Sequence, residues 1–122
     1  MIPATYSIGD SDTRPWGRWV VLDKAPQLVV KKLTVEPGKR ISLQRHRFRT
    51  ERWLVTQGEV AVQKGEECLT LRAGEGIMIP QNCPHRLSNE SAEPVCVLEI
   101  QFGDLLSEDD IERLEDDFGR HE

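Results

Sequence analysis

Apolar and β-branched residues alternate with polar ones in short runs along most of the chain, at residues 16–22, 28–35, 41–47, 53–55, 59–63, 68–71, 76–79, 85–87 and 95–102. A period of two puts every second side chain on the same face, the pattern of a half-buried strand. Turn formers close almost every run: Glu36-Pro37-Gly38, Gln57-Gly58, Lys64-Gly65, Ala73-Gly74-Glu75-Gly76 and Asn89-Glu90-Ser91. Glycine, proline and asparagine supply the backbone angles that tight turns need. Nine short strands at even spacing, with no helical pattern between them, predict an antiparallel sandwich or barrel.

Only the tail reads differently. Ser107 stands at an N-cap position with Asp110 three residues on, and Ile111, Leu114 and Phe118 recur on one helical face until Gly119. This predicts a short C-terminal helix over 107–119 with an acidic first turn, packed on the barrel. Residues 1–13 read as an N-terminal arm, and no repeat or linker divides the remainder, so 1–122 is read as a single domain.

Composition and charge narrow the function. The 122 residues are 38% hydrophobic and 30% charged, the balance of an ordinary globular domain. A net charge of −5 counts against nucleic acid as a partner, but the charge is unevenly placed. Residues 104–122 hold nine acidic and two basic side chains, whereas Lys39, Arg40, Arg45, Arg47, Arg49 and Arg52 form a basic row. That row favours an anionic ligand, such as a small polar metabolite. Three cysteines without a C-x-x-C pair, and no apolar run near the roughly 18 residues of a membrane span, point to a reducing cytoplasm and no membrane.

The residues that carry chemistry lie between Gly38 and Asn89. Gln44 and His46 share a strand face, Glu51 comes beside them from a strand partner, and His85 begins a separate strand after a proline-bounded turn. One amide oxygen, two imidazoles and one carboxylate make a donor set for a borderline divalent cation: zinc, manganese, cobalt or iron.

The spacing Gly38-x5-Gln44-x-His46-x4-Glu51-x6-Gly58, followed by Gly74-x5-Pro80-x4-His85-x3-Asn89, resembles the paired motifs of the cupin superfamily. Gln44 replaces the usual first histidine and Asn82 an inner glycine. The resemblance implies an all-β fold, the cupin double-stranded β-helix or jelly-roll barrel. Arg14-Pro15-Trp16-Gly17, the stretch from Ser42 to His46, Glu51-Arg52-Trp53, Ile79-Pro80, residues 85–89 and residues 108–116 further resemble the C-terminal isomerase domain of type II mannose-6-phosphate isomerases.

That resemblance implies a divalent metal on Gln44, His46, Glu51 and His85, and aldose–ketose isomerisation of mannose 6-phosphate or a related anionic sugar. Lys31, Arg49 and Arg86 are the candidate catalytic and phosphate-binding cations, with Arg14 and Arg52 behind them, because cationic side chains grip phosphate oxygens. No general base is identified: Glu51 is committed to the metal, and Lys31 would need a depressed pKa. Arg47, Phe48 and Arg52 stand where such domains commonly carry histidines. Strand parity puts Phe48 in the cavity wall and turns Arg45, Arg47 and Arg49 away from the ligand face. Trp16, Trp19 and Trp53 read as packing residues, Cys83 as an inert half-buried thiol and His121 as exposed. Two alternatives stand beside the isomerase: a non-catalytic metal- and sugar-binding cupin and, below it, an iron-dependent oxygenase-type cupin, since the usual three histidines are reduced to two. A homodimer joined at sheet edges is expected.

Overall fold

All nine expected strands are present, and the structure, a computed structural model describing residues 6–119, adds two more. In chain order they are β1 (Ser11–Arg14), β2 (Gly17–Ala25), β3 (Leu28–Val35), β4 (Leu43–Arg45), β5 (Arg49–Gln57), β6 (Glu59–Lys64), β7 (Glu67–Arg72), β8 (Gly76–Ile79), β9 (His85–Ser88), β10 (Val95–Gly103) and β11 (Glu112–Glu115). They form two antiparallel sheets, one ordered β1-β2-β3-β10-β5-β8 and the other β11-β4-β9-β6-β7. The described residues include no helix, and so none long and apolar enough to cross a membrane.

Alternation along the strands decides what lies between the sheets. Trp19, Leu33, Val97 and Val55 stand side by side across four strands of the larger sheet, all buried. With Val60, Val62 and Leu87 of the smaller sheet they belong to the apolar core, where each fully buried aliphatic side chain contributes roughly 1.5–3 kcal/mol. The next rungs are different. Val21, Lys31, Glu99 and Trp53 form one, and Val29, Gln101 and Glu51 the following one. The interior is therefore apolar at one end and charged at the other.

Two loops are held by residues with a specific steric or hydrogen-bonding duty. Gly17 has φ of 153°, and a Cβ there would lie 1.9 Å from the Thr34 carbonyl oxygen, so the β1–β2 turn requires glycine. Asn89, only 1% exposed, donates from Nδ2 to the carbonyls of Val35 (2.9 Å) and Glu93 (2.7 Å). Its Oδ1 accepts from Ser91 N and Oγ.

The tail corrects the expected helix. Residues 112–115 form β11 and pair with β4, Glu112 opposite Arg45, Arg113 opposite Gln44 and Glu115 opposite Leu43. Helical periodicity lost to two tertiary demands: β4 has a free ladder edge to satisfy, and the tail's polar groups are needed elsewhere. Ser107 is completely buried rather than capping a surface helix, and Asp110 accepts from the backbone N–H groups of Arg47 (2.8 Å) and Phe48 (3.0 Å). Leu114, expected on a buried stripe, is 37% exposed. The described part of the expected N-terminal arm is also structured, with Tyr6 buried and β1 paired to β2.

Asn89→Ala strands the buried Val35 carbonyl, the Glu93 carbonyl and a turn amide at once. It is expected to lower stability by about 2–4 kcal/mol, read from the urea midpoint at unchanged slope, whereas surface-turn substitutions such as Glu90→Ala leave it within about 0.5 kcal/mol.

Candidate metal centre

Three side chains from different segments meet at the charged end of the barrel. Glu51 points inward from β5, His85 from the start of β9, and His46 from the link between β4 and β5. Their exposures are 1%, 1% and 3%, and one donor atom from each lies within 4.8 Å of the others. His46 Nε2 is 3.1 Å from Glu51 Oε2, and His85 Nε2 is 3.8 Å from Glu51 Oε1.

The outer nitrogen of each ring is already committed. His46 Nδ1 lies 2.7 Å from the Asp110 carbonyl and His85 Nδ1 lies 2.8 Å from the Cys83 carbonyl. A carbonyl only accepts, so each Nδ1 carries the proton and each Nε2 presents a lone pair toward Glu51. Burial moves both imidazoles further toward neutrality, lowering His46 to about 4 and His85 in the same direction. Two neutral imidazoles with oriented lone pairs, their far nitrogens fixed by carbonyls, form the arrangement in which histidine binds a metal. Among the described residues, His85 Nε2 is moreover buried without a hydrogen-bond partner, the position of an unused metal donor. The N, N, O donor set fits a borderline divalent cation.

Glu51 is kept ionised by its neighbours. Burial opposes its charge, but the Arg49 guanidinium against it outweighs that and holds its pKa well below the usual carboxylate range. Arg49 Nε donates to Oε2 at 2.7 Å and Trp53 Nε1 to Oε1 at 3.0 Å. Glu99 behaves oppositely: burial first, and the adjacent Glu51 charge second, push it up to about 8. Its carboxyl is hydrogen-bonded to Glu51 and accepts from Gln101 Nε2 at 2.7 Å.

The other expected site residues are distributed unevenly. Gln44 is the ladder partner of His85, but its amide donates to Ser42 Oγ at 2.9 Å. Arg49, expected to face away, is 4% exposed and lies inside the barrel, with one guanidinium nitrogen 3.3 Å from His46 Nε2 and 3.6 Å from Glu99. Parity did not carry across residues 46–48 because the chain leaves the strand there. For the same reason Phe48 is 44% exposed and lines an outer cleft with Arg47 and Asn82 rather than the barrel cavity. Lys31 is buried, its Nζ over the rings of Tyr6 and Trp19, and burial lowers its pKa. Arg86 alternates to the other side of β9 from His85 and donates to the Ile41 carbonyl (3.0 Å) and to Glu115. It ties β9 to β11 and to the segment before β4, and does not join the His46–Glu51–His85 group. The three tryptophans are buried as expected, Cys83 is half-buried, and His121 lies outside the described residues.

Several polar residues of the site were not singled out from sequence. Glu99 and Gln101 are signalled by charge and amide on the inward face of an otherwise apolar strand, where Val95 and Val97 precede them at the same parity. Tyr6 and Glu108 carry no such signal, since their roles arise from loops brought in over the barrel, and Asp110, read as a helix-capping residue, instead accepts from the amides of Arg47 and Phe48.

The sequence matches the family described as Mannose-6-phosphate isomerase C-terminal over residues 5–116. The chain belongs to this family. Within reach of it are XanB, a xanthan biosynthesis protein of Xanthomonas campestris pv. campestris, 43% identical over 88% of this chain and 23% of its own length, and a mannose-1-phosphate guanylyltransferase of Salmonella muenchen, 42% identical over 84% of this chain and 22% of its own. The chain thus spans about a quarter of the length of these relatives. The fold is a cupin: the cupin domain of Schizosaccharomyces pombe Cnp3 superposes with a TM-score of 0.67 at 14% identity, over 71% of this chain and 64% of that one. Gln44, His46, Glu51, His85 and Asn89 all fall inside the family match.

Near the triad, Glu108 lies against Lys31 and Tyr6. Burial opposes its charge, but Lys31 and the Tyr6 hydroxyl depress its pKa to about 2. A carboxyl with a depressed folded pKa contributes stability that is complete above its unfolded value, about 4.3, and is lost as pH falls toward the folded one. Glu108→Gln is therefore expected to melt below the parent at neutral pH and to converge with it as pH drops through about 4 to 2, checked by thermal unfolding across that range.

Proposed function

We propose that the domain binds a divalent metal ion on His46, Glu51 and His85, with Gln44 adjoining, and isomerises an anionic sugar phosphate of the mannose 6-phosphate type between aldose and ketose. The observation that carries the reading is the pair of imidazoles whose Nδ1 atoms are fixed by carbonyls while their Nε2 atoms face a buried carboxylate, one of them without a partner. Family membership supports a sugar phosphate as the substrate class.

When bound, such a metal would polarise a carbonyl oxygen as a Lewis acid. The remaining work falls to the chain's own groups. Arg49 holds Glu51 and reaches Glu99, fixing the carboxylate's direction and adding positive charge where an oxyanion would develop. Glu99 holds a proton beside Glu51, and Lys31 with Tyr6 forms a second buried proton-bearing pair, Nζ to hydroxyl 2.9 Å. The lining of Trp16, Trp19, Leu33 and Ile41 excludes water from these groups.

A second reading, metal and sugar binding without turnover, is favoured by one observation. The cavity that joins Lys31, Gln44, Arg49 and Glu99 measures about 50 Å³, too little for a hexose phosphate unless the covering segment moves.

Zinc, manganese or cobalt is expected to raise the melting temperature of the parent, by the equivalent of about 2.7 kcal/mol at a hundred times Kd, and to leave His85→Ala unshifted. Mannose 6-phosphate should then be converted to fructose 6-phosphate by the loaded parent and not by Glu51→Gln. A metal-induced shift without turnover under any of the metals would select the binding reading, and no shift in the parent would overturn both.

A further inference from the structure

The cation cluster beside the triad is filled by the chain itself. Glu108 Oε2 accepts from the Tyr6 hydroxyl at 2.5 Å and from Lys31 Nζ at 3.1 Å, while Oε1 accepts from Arg14 at 3.1 Å. Three donors thus converge on two anionic oxygens. Lys31 is fixed from behind, its ammonium 4.1 Å from the Trp19 ring centroid and 4.2 Å from that of Tyr6. Its side chain is 3% exposed and that of Glu108 is 37% exposed, so the cradle is the buried partner and the carboxylate the outer one.

We propose that Arg14, Lys31 and Tyr6 form the subsite for the anionic group of the ligand, a phosphate monoester or carboxylate, and that Glu108 occupies it from within the chain until the ligand displaces it. The proposal rests on the sugar-phosphate reading for the ligand's identity and not for the existence of the cradle.

Topology allows the exchange. The cradle belongs to the larger sheet and the segment leading into it, whereas Glu108 lies between β10 and β11, outside every strand ladder. Its neighbours are anchored independently: the Ser107 carbonyl accepts from Arg49 at 3.1 Å, and the Asp110 carboxylate caps the amides of Arg47 and Phe48. Rotation of the Glu108 side chain therefore frees the cradle for an anionic group without unfolding its support, and a whole hexose phosphate also requires the segment over the cavity to shift. The subsite also opens on the right place. Arg14, Lys31 and Glu108 line the same cavity as Arg49 and Glu99, both of which hydrogen-bond Glu51 of the triad, so the cradle and the triad are one residue apart. A phosphate monoester carries about −1.5 to −2 at neutral pH with three acceptor oxygens, more than the single charge it would replace.

An occupied subsite weakens the apparent affinity of its ligand by the fraction left open, and removing the internal competitor restores it. The full chain is titrated by calorimetry with inorganic phosphate, mannose 6-phosphate, mannose and acetate, both in a chelator and with zinc. Phosphate and mannose 6-phosphate are expected to bind and mannose alone not to; Glu108→Gln should bind phosphate about ten-fold more tightly, and Arg14→Met, a rim substitution compatible with folding, about ten-fold more weakly. Tightening for acetate but not phosphate would assign the subsite to carboxylates; tightening for phosphate assigns it to phosphate esters. Unchanged or weaker affinity of Glu108→Gln for both anions would overturn the subsite, as would unchanged affinity of Arg14→Met. The chelator arm separates this from the isomerase reading: tightening without metal binding or turnover removes the latter alone, and turnover without tightening removes the former alone.

Discussion

A carboxylate buried to 1% exposure has to be paired or protonated, and the polar half of this barrel is organised around pairing Glu51. Taking an ion out of water costs several kcal/mol even after relaxation, so its partners must be close and numerous. Two are supplied by its own strand, because period-two alternation stacks Arg49, Glu51 and Trp53 on one face and lets the flanking residues donate to separate oxygens. The Nε2 atoms of His46 and His85 face the same carboxylate at 3.1 and 3.8 Å with lone pairs rather than protons, so they share its pocket without pairing its charge. Glu99 then has no charge partner of comparable quality and takes the neutral form, so two carboxyls on adjacent rungs are held in opposite states.

The tail completes this arrangement from outside. Its acidic residues meet two members of the basic row at the surface, Asp117 with Arg40 at 2.7 Å and Glu112 with Arg45 at 2.6 Å, while Glu115 meets the buried Arg86 of β9 at 3.4 Å. Exposed pairs of this kind contribute about 0–1 kcal/mol each, so their role is register more than stability. Register is what matters here, since it brings the Asp110 carbonyl onto His46 Nδ1 and the Ser107 carbonyl onto Arg49. The charge asymmetry along the chain is therefore largely internal complementarity. Of the basic row, Arg49 reaches the interior beside Glu51, while the cations that hold Glu108, Arg14 and Lys31, come from outside that row.

Much of this was legible in the chain before any coordinates. Alternation and turn residues located all nine expected strands, because a two-sided sheet with one face in a core imposes a strict period of two. Motif spacing brought His46, Glu51 and His85 together, since ligand separation along paired strands is a matter of register. Parity failed where the backbone leaves a strand, at residues 46–48, and with it the placement of Phe48 and Arg49.

What the sequence by itself determined is nine of the eleven strands, the barrel and the meeting of His46, Glu51 and His85, all consequences of local periodicity and chain spacing. What only the tertiary structure decided is the fate of the tail and of every charge near the site. A segment with a clear helical face became strand β11 because an open ladder edge and buried Arg49 and His46 offered its backbone and side chains partners that an isolated helix could not match. Whether a carboxyl is ionised, or a lysine is paired or free to receive a ligand, depends on burial and on neighbours distant in sequence, and no local pattern encodes either.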